Sequence, residues 1–135
     1  MMLKYFFAAL FGLIPPTTAT ADEVWTTARG DLVYESDFGD TAILSLPDGA
    51  TKVWLYLPGL GGNFSNRSTH QGYWLDERPG DCGAMLYGPD GRGSRHWGRV
   101  TVLFDQPAFP SDLSLWLGDC FEQPTQPVRG LSGVQ

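Results

Sequence analysis

The chain has 135 residues, a formal net charge of −6 and two cysteines. That length supports one domain, and the acidic balance argues against nucleic acid or an anionic membrane surface as partner, because both repel a protein of this charge. Beyond the N-terminus no stretch approaches the roughly 20 consecutive apolar residues of a membrane span.

Residues 1–21 read as a secretory signal. Lys4 supplies the positive end, residues 5–14 form an apolar run broken only by Gly12, and Pro15-Pro16 ends it. Ala19-Thr20-Ala21 then presents the small residues of a cleavage site. Cleavage following Ala21 makes the mature chain secreted or periplasmic. All fifteen acidic residues lie beyond the cut, against eight basic ones, since only Lys4 is removed. No Cys follows the apolar run, so the signal is not that of a lipid-modified N-terminal Cys.

After the signal, Gly and Pro recur every few residues, and the segments between them are rich in Val, Leu, Trp, Tyr and Phe, as strands are. Residues 24–29 and 31–35 are short candidates. Residues 41–46 and 52–57 flank Pro47-Asp48-Gly49, where Pro presets one turn angle and Gly accepts positive φ, so 41–57 reads as a hairpin. In 52–57, Val53, Leu55 and Leu57 point one way and Trp54 and Tyr56 the other. Both faces are apolar, which marks a strand covered on its second face as well. Residues 58–76 form a long connection whose end, Gly72-Tyr73-Trp74-Leu75, re-enters the sheet. Pro89-Asp90-Gly91 predicts a second hairpin, pairing 82–87 with 97–105. Val100, Val102 and Phe104 share one face, as do Leu113, Leu115 and Leu117 in the last predicted strand, 112–121. Residues 123–135 carry several Pro and Gly and little to bury, so a flexible C-terminal tail is expected after a single β domain at 22–122. The pattern is all-β: a small antiparallel sandwich or barrel of about seven strands with one disulfide.

In an oxidising compartment an even pair of cysteines forms a disulfide. Cys82 and Cys120 are therefore expected to be bridged, closing a long loop and stabilising the fold by about 4 kcal/mol on the chain-entropy model.

Catalytic signals are weak. Gly59-Leu60-Gly61-Gly62 lacks the Lys-Ser/Thr that a phosphate loop requires, so no cofactor is expected. His70 and His96, with Arg67, Arg95 and Arg99 near in sequence, define an alternative reading as a small extracytoplasmic hydrolase in which the two imidazoles share acid-base work. Asp37 with Asp40, and Asp76, Glu77 and Asp81, are loop carboxylates of the kind calcium takes, but their spacing matches no calcium loop and no metal site is assigned. Asn63-Phe64-Ser65 and Asn66-Arg67-Ser68 have the glycosylation pattern and read as polar loop residues.

Aromatic content carries the leading reading. Trp25, Trp54, Trp74, Trp97 and Trp116 either fill the core or anchor a ligand. The expected ligand-binding residues are Tyr73, Trp74, Trp97, Arg67, His70 and Arg95, with no catalytic residue among them. The expected function is a non-catalytic binding or interaction module for a protein or carbohydrate ligand. Another alternative is a structural subunit of an envelope assembly. Thr41-Ala-Ile-Leu-Ser-Leu46 and Gly72-Tyr73-Trp74 resemble strands of small periplasmic β-barrels that inhibit lysozyme, which implies a barrel with a protein partner. The resemblance covers only these segments. The chain lacks that family's Ser-Gly-containing loop and its Cys near the mature N-terminus, and no residue role is carried over.

Overall fold

The computed structural model describes residues 23–133. The expected export signal and its cleavage site lie outside the described residues. Ten strands and no helix form among them: β1 (Val24–Thr27), β2 (Gly30–Phe38), β3 (Thr41–Asp48), β4 (Thr51–Pro58), β5 (Thr69–Asp76), β6 (Leu86–Tyr87), β7 (Gly93–Ser94), β8 (His96–Phe104), β9 (Leu113–Leu117) and β10 (Gln126–Ser132). Eight close into an antiparallel barrel in the order β1-β10-β9-β8-β5-β4-β3-β2, and β6 pairs only with β7. The choice between sandwich and barrel falls to the barrel, with one strand more than the seven expected.

Side-chain alternation explains the interior. Val53, Leu55 and Leu57 of β4, Val100, Val102 and Phe104 of β8, and Leu113, Leu115 and Leu117 of β9 are all buried in one cluster with Trp25, Leu44 and Trp74. Each Leu or Val so buried contributes about 1.5–3 kcal/mol. Outward positions such as Arg99, Thr101, Ser114 and Arg129 are half-buried or exposed. This is the reverse of a membrane barrel, which faces apolar side chains outward around a polar lumen.

A second, smaller core lies outside the barrel wall. Ile43, Tyr56, Leu75 and Trp97 point outward yet are buried, with Trp54, Cys82 and Leu86 packed against them. The cover is the excursion between β5 and β8, residues 77–95, which folds back over the wall as a strap. Two contacts pin it to the wall: the Cys82–Cys120 disulfide, with Cα atoms 5.3 Å apart, and the Trp97 indole donating to the Ala84 carbonyl at 2.8 Å; the Cys82 N–H, donating to the Arg95 carbonyl at 3.0 Å, closes the strap on itself. The two-sided apolar pattern of β4 is thus accounted for.

Two expectations are corrected. Pro89-Asp90-Gly91 does turn the chain, but its return strand is β7, with Leu86 opposite Ser94. Residues 96–104 instead pair with β5 and β9, since the alternating β8 buries far more against the barrel than against a two-residue strand. The predicted tail contains β10, which pairs with β9 and β1 and closes the barrel. Its inward positions include Val128 and Gly130, and at Gly130 a Cβ would stand only 3.0 Å from Leu113 and 3.1 Å from Trp25. Large neighbours fill the space that an ordinary strand fills itself.

Gly98, like Gly72 on the adjacent β5, requires glycine for space. A Cβ at Gly98 would lie 1.8 Å from the Gly118 carbonyl oxygen and 2.5 Å from the Trp74 indole nitrogen. Gly98→Ala should therefore lower unfolding free energy by about 3 kcal/mol, at the upper end for overpacking. Urea denaturation showing a loss of less than about 1 kcal/mol would mean this contact relaxes freely.

Candidate binding surface

The two ends of the barrel differ. Loops 59–68 and 105–112 plug one end. Leu60 is buried there, and Arg67 is 0 % exposed. Its guanidinium donates to both oxygens of Glu23, at 2.8 and 2.7 Å, and to the Asn63 carbonyl at 2.9 Å. Phe64 and Phe104 lie 4.8 and 4.9 Å from it. Arg67 is therefore a structural plug with its donors committed, which corrects its assignment as a ligand contact. Buried Tyr34 joins this end through its hydroxyl bond to Asp37; burial and then that bond push its pKa up.

His70 and His96 do not share a site. In the β5–β8 register His70 lies opposite Val102 and His96 opposite Asp76. Six residues of strand separate those positions, roughly 20 Å at about 3.3 Å per residue. Acid-base partners must both reach one substrate, so the hydrolase reading built on this pair is set aside. His70 packs edge-on to Phe104 near the plugged end, and His96 edge-on to Trp74 at the open end. His70 Nε2 and His96 Nδ1 are buried without a hydrogen-bond partner among the described residues.

Of the predicted acidic residues, Asp37 accepts the Tyr34 hydroxyl, and Asp76 closes β5 with its own local partners. Asp76 is fully buried and accepts the Arg78 N–H at 3.0 Å and its Nε at 2.9 Å, while Arg78 also pairs with Asp48. Burial pushes the Asp76 carboxyl up, but the Arg78 bonds outweigh it and hold the pKa below the usual value. A carboxylate with a depressed folded pKa adds stability that is complete above its unfolded pKa, about 3.9, and lost as pH falls through the folded value. Thermal stability of the wild type should fall below about pH 4, and Asp76→Asn should flatten that dependence; an unchanged profile in the variant would assign the acid sensitivity elsewhere. Among the described residues no group of three His, Cys, Asp or Glu side chains comes together as a metal site.

Of the residues expected to bind ligand, Tyr73 is the one presented outward in a groove. Trp97, 3 % exposed, lies beneath it with ring centroids 6.2 Å apart, and Phe121 caps Trp97 at 4.9 Å. Trp74 belongs to the barrel core. Arg95 is on the strap, bonded to the Gly83 carbonyl. The structure thus brings Tyr73 and Trp97 together and separates Arg67 and His70 from them.

Tyr73 divides two depressions. On one side a groove of about 380 Å³ runs between barrel and strap, lined by Tyr56, Pro58, Leu86, Tyr87 and Pro89. On the other a more polar hollow is lined by Gln71, Arg99, Thr101 and Pro124. Tyr87 is 68 % exposed and Tyr73 40 %. The groove floor is rigid: the Tyr56 hydroxyl donates to Asp90 at 3.0 Å, which also pairs with Arg92, and Arg92 stacks on Trp54 at 3.5 Å. Burial, then the bond to Asp90, push the Tyr56 pKa up, so it stays a neutral donor. The sequence reading missed Tyr87 and Leu86, because only the strap's fold-back places them opposite Tyr73.

Comparison with protein-family models, curated proteins and solved structures finds no match for this chain. The all-β barrel and its disulfide stand on the structure alone, and no helix among the described residues is long and apolar enough to cross a membrane.

Proposed function

We propose that the chain is exported, loses residues 1–21, and acts as a non-catalytic binding module whose contact surface is the groove between Tyr73 and Tyr87. The observation that carries this is the pair of exposed tyrosines flanking an uncharged groove on a rigid, strap-covered wall. Its volume lies within the roughly 300–1,000 Å³ of ligand sites, and an apolar centre beside the polar hollow of Gln71, Arg99 and Thr101 has the layout of a protein contact. The ligand is a protein segment with apolar side chains. A carbohydrate fits this groove less well, because sugar hydroxyls need several planar hydrogen-bonding side chains and the groove lining offers only hydroxyls, one already committed to Asp90. Envelope export is supported by the N-terminal pattern and by a disulfide that persists in an oxidising compartment.

The test is capture from envelope and medium fractions by the immobilised mature protein and by Tyr73→Ser/Tyr87→Ser. A partner held by the wild type should be lost from the double variant, while both proteins unfold at similar urea concentrations. Equal retention of the same partner by both would overturn the assignment of the groove.

A further inference from the structure

The open end of the barrel has chemistry distinct from the groove. Here, among the described residues, the core is covered by no plug of the Leu60–Arg67 kind. A cavity of about 150 Å³ remains, with Trp74, Val53 and Leu117 at its base and Arg29, Asp48, His96, Asp119 and Gln126 around it. A volume of about 150 Å³ holds one benzene-sized ring, which matches a single six-membered ring here.

Charge narrows the ligand further. Asp48 is held by Arg78 and approached by Arg29 at 3.9 Å. Asp119, an exposed carboxylate, is left to face an incoming group. Arg29 opposes a cation and Asp119 opposes an anion. The wall offers donors from Arg29 and Gln126 and acceptors from Asp119 and Gln126. The Trp74 indole N–H is occupied by the Gly118 carbonyl at 2.8 Å, so this ring, 6 % exposed, adds to the apolar floor and supplies no donor. Donors and acceptors around an apolar floor suit a neutral ring bearing several hydroxyls.

We infer that the open barrel mouth is a binding site for one neutral sugar ring, as a free monosaccharide or the terminal residue of a glycan. This site is separate from the groove and does not depend on it. Asp119 and Gln126 bond the hydroxyls, and the ring sits over the apolar floor of Val53, Trp74 and Leu117.

The test uses nuclear magnetic resonance on the folded, disulfide-bonded chain, titrated to millimolar concentrations with the methyl glycosides of glucose, galactose, mannose and N-acetylglucosamine. At least one should shift the Trp74 indole and Gly118 amide signals saturably while leaving those of Tyr73 and Tyr87 unmoved. Asp119→Asn, at an exposed position, should keep the fold and weaken that binding about tenfold, the worth of one charge-assisted hydrogen bond. Methyl glucuronide, with a carboxylate in place of the C6 hydroxymethyl, should bind more weakly than methyl glucoside. No saturable shift with any of the four glycosides, or shifts insensitive to Asp119→Asn, would overturn the proposal. In the groove-deficient Tyr73→Ser/Tyr87→Ser variant sugar binding should persist, so the two sites fail separately.

Discussion

Arg67→Ala should lower the unfolding free energy by about 3–5 kcal/mol, the range found when one partner of a buried ion pair is removed. The guanidinium is fully enclosed at the plugged end, between Glu23 and the rings of Phe64 and Phe104. Truncation strands the Glu23 carboxylate, whose side chain is only 5 % exposed, and opens a void beneath loop 59–68. The loss should not equal the net worth of the pair. Replacing both members by apolar residues, as in Glu23→Leu/Arg67→Met, should recover much of it, since desolvation of the two charges offsets most of their attraction. Urea denaturation reads both effects, and a loss below about 1 kcal/mol in the single variant would show that the plug does not hold this end.

Removing the disulfide should have a different signature. Cys82→Ser/Cys120→Ser releases a loop with a sequence separation of 38, costing about 4 kcal/mol on the chain-entropy model. The barrel closes without help from the bridge, because β10 and β1 complete the ring of strands. The bridge ties the strap to the wall. Loss of protection from hydrogen exchange should therefore concentrate on residues 77–95 and on the outward-facing Tyr56, Leu75 and Trp97. Uniform loss of protection across all eight barrel strands would instead make the strap integral to barrel stability. Since Leu86 and Tyr87 form one wall of the groove, loosening the strap should also weaken partner capture.

The parts of this fold legible in the sequence are those governed by local alternation. β4, β8 and β9 show apolar residues at every second position, and the two apolar faces of β4 already imply a cover. The turn at Gly49, with φ of 62°, follows from residue chemistry, as does the pairing of two cysteines. β10 was illegible for a physical reason: Trp25 and Leu113 occupy the volume beside Gly130, so the strand carries little apolar signal of its own. The partner of the strand before Pro89 was equally hidden, because β8 has a stronger claim on the barrel than on β6. At the candidate surface, Tyr73 could be singled out as an aromatic near a loop. Its counterpart Tyr87 could not, because nothing in local sequence says that the strap folds back. The barrel mouth draws Arg29, His96, Asp119 and Gln126 from four separate segments, a grouping that no spacing rule detects.

The central claim, that the Tyr73–Tyr87 groove is the contact surface, is tested most directly by site-specific photocrosslinking. A photoreactive phenylalanine analogue replaces Tyr87, or replaces Leu131 on the far wall, where β10 lies four strands round the barrel from β4. Both positions are exposed, so neither substitution disturbs the core. Irradiation of the mature protein in its own envelope fraction should yield a discrete adduct from position 87 and none from position 131. An adduct from position 131 with none from position 87 would contradict the account and move the contact surface to the opposite side of the barrel.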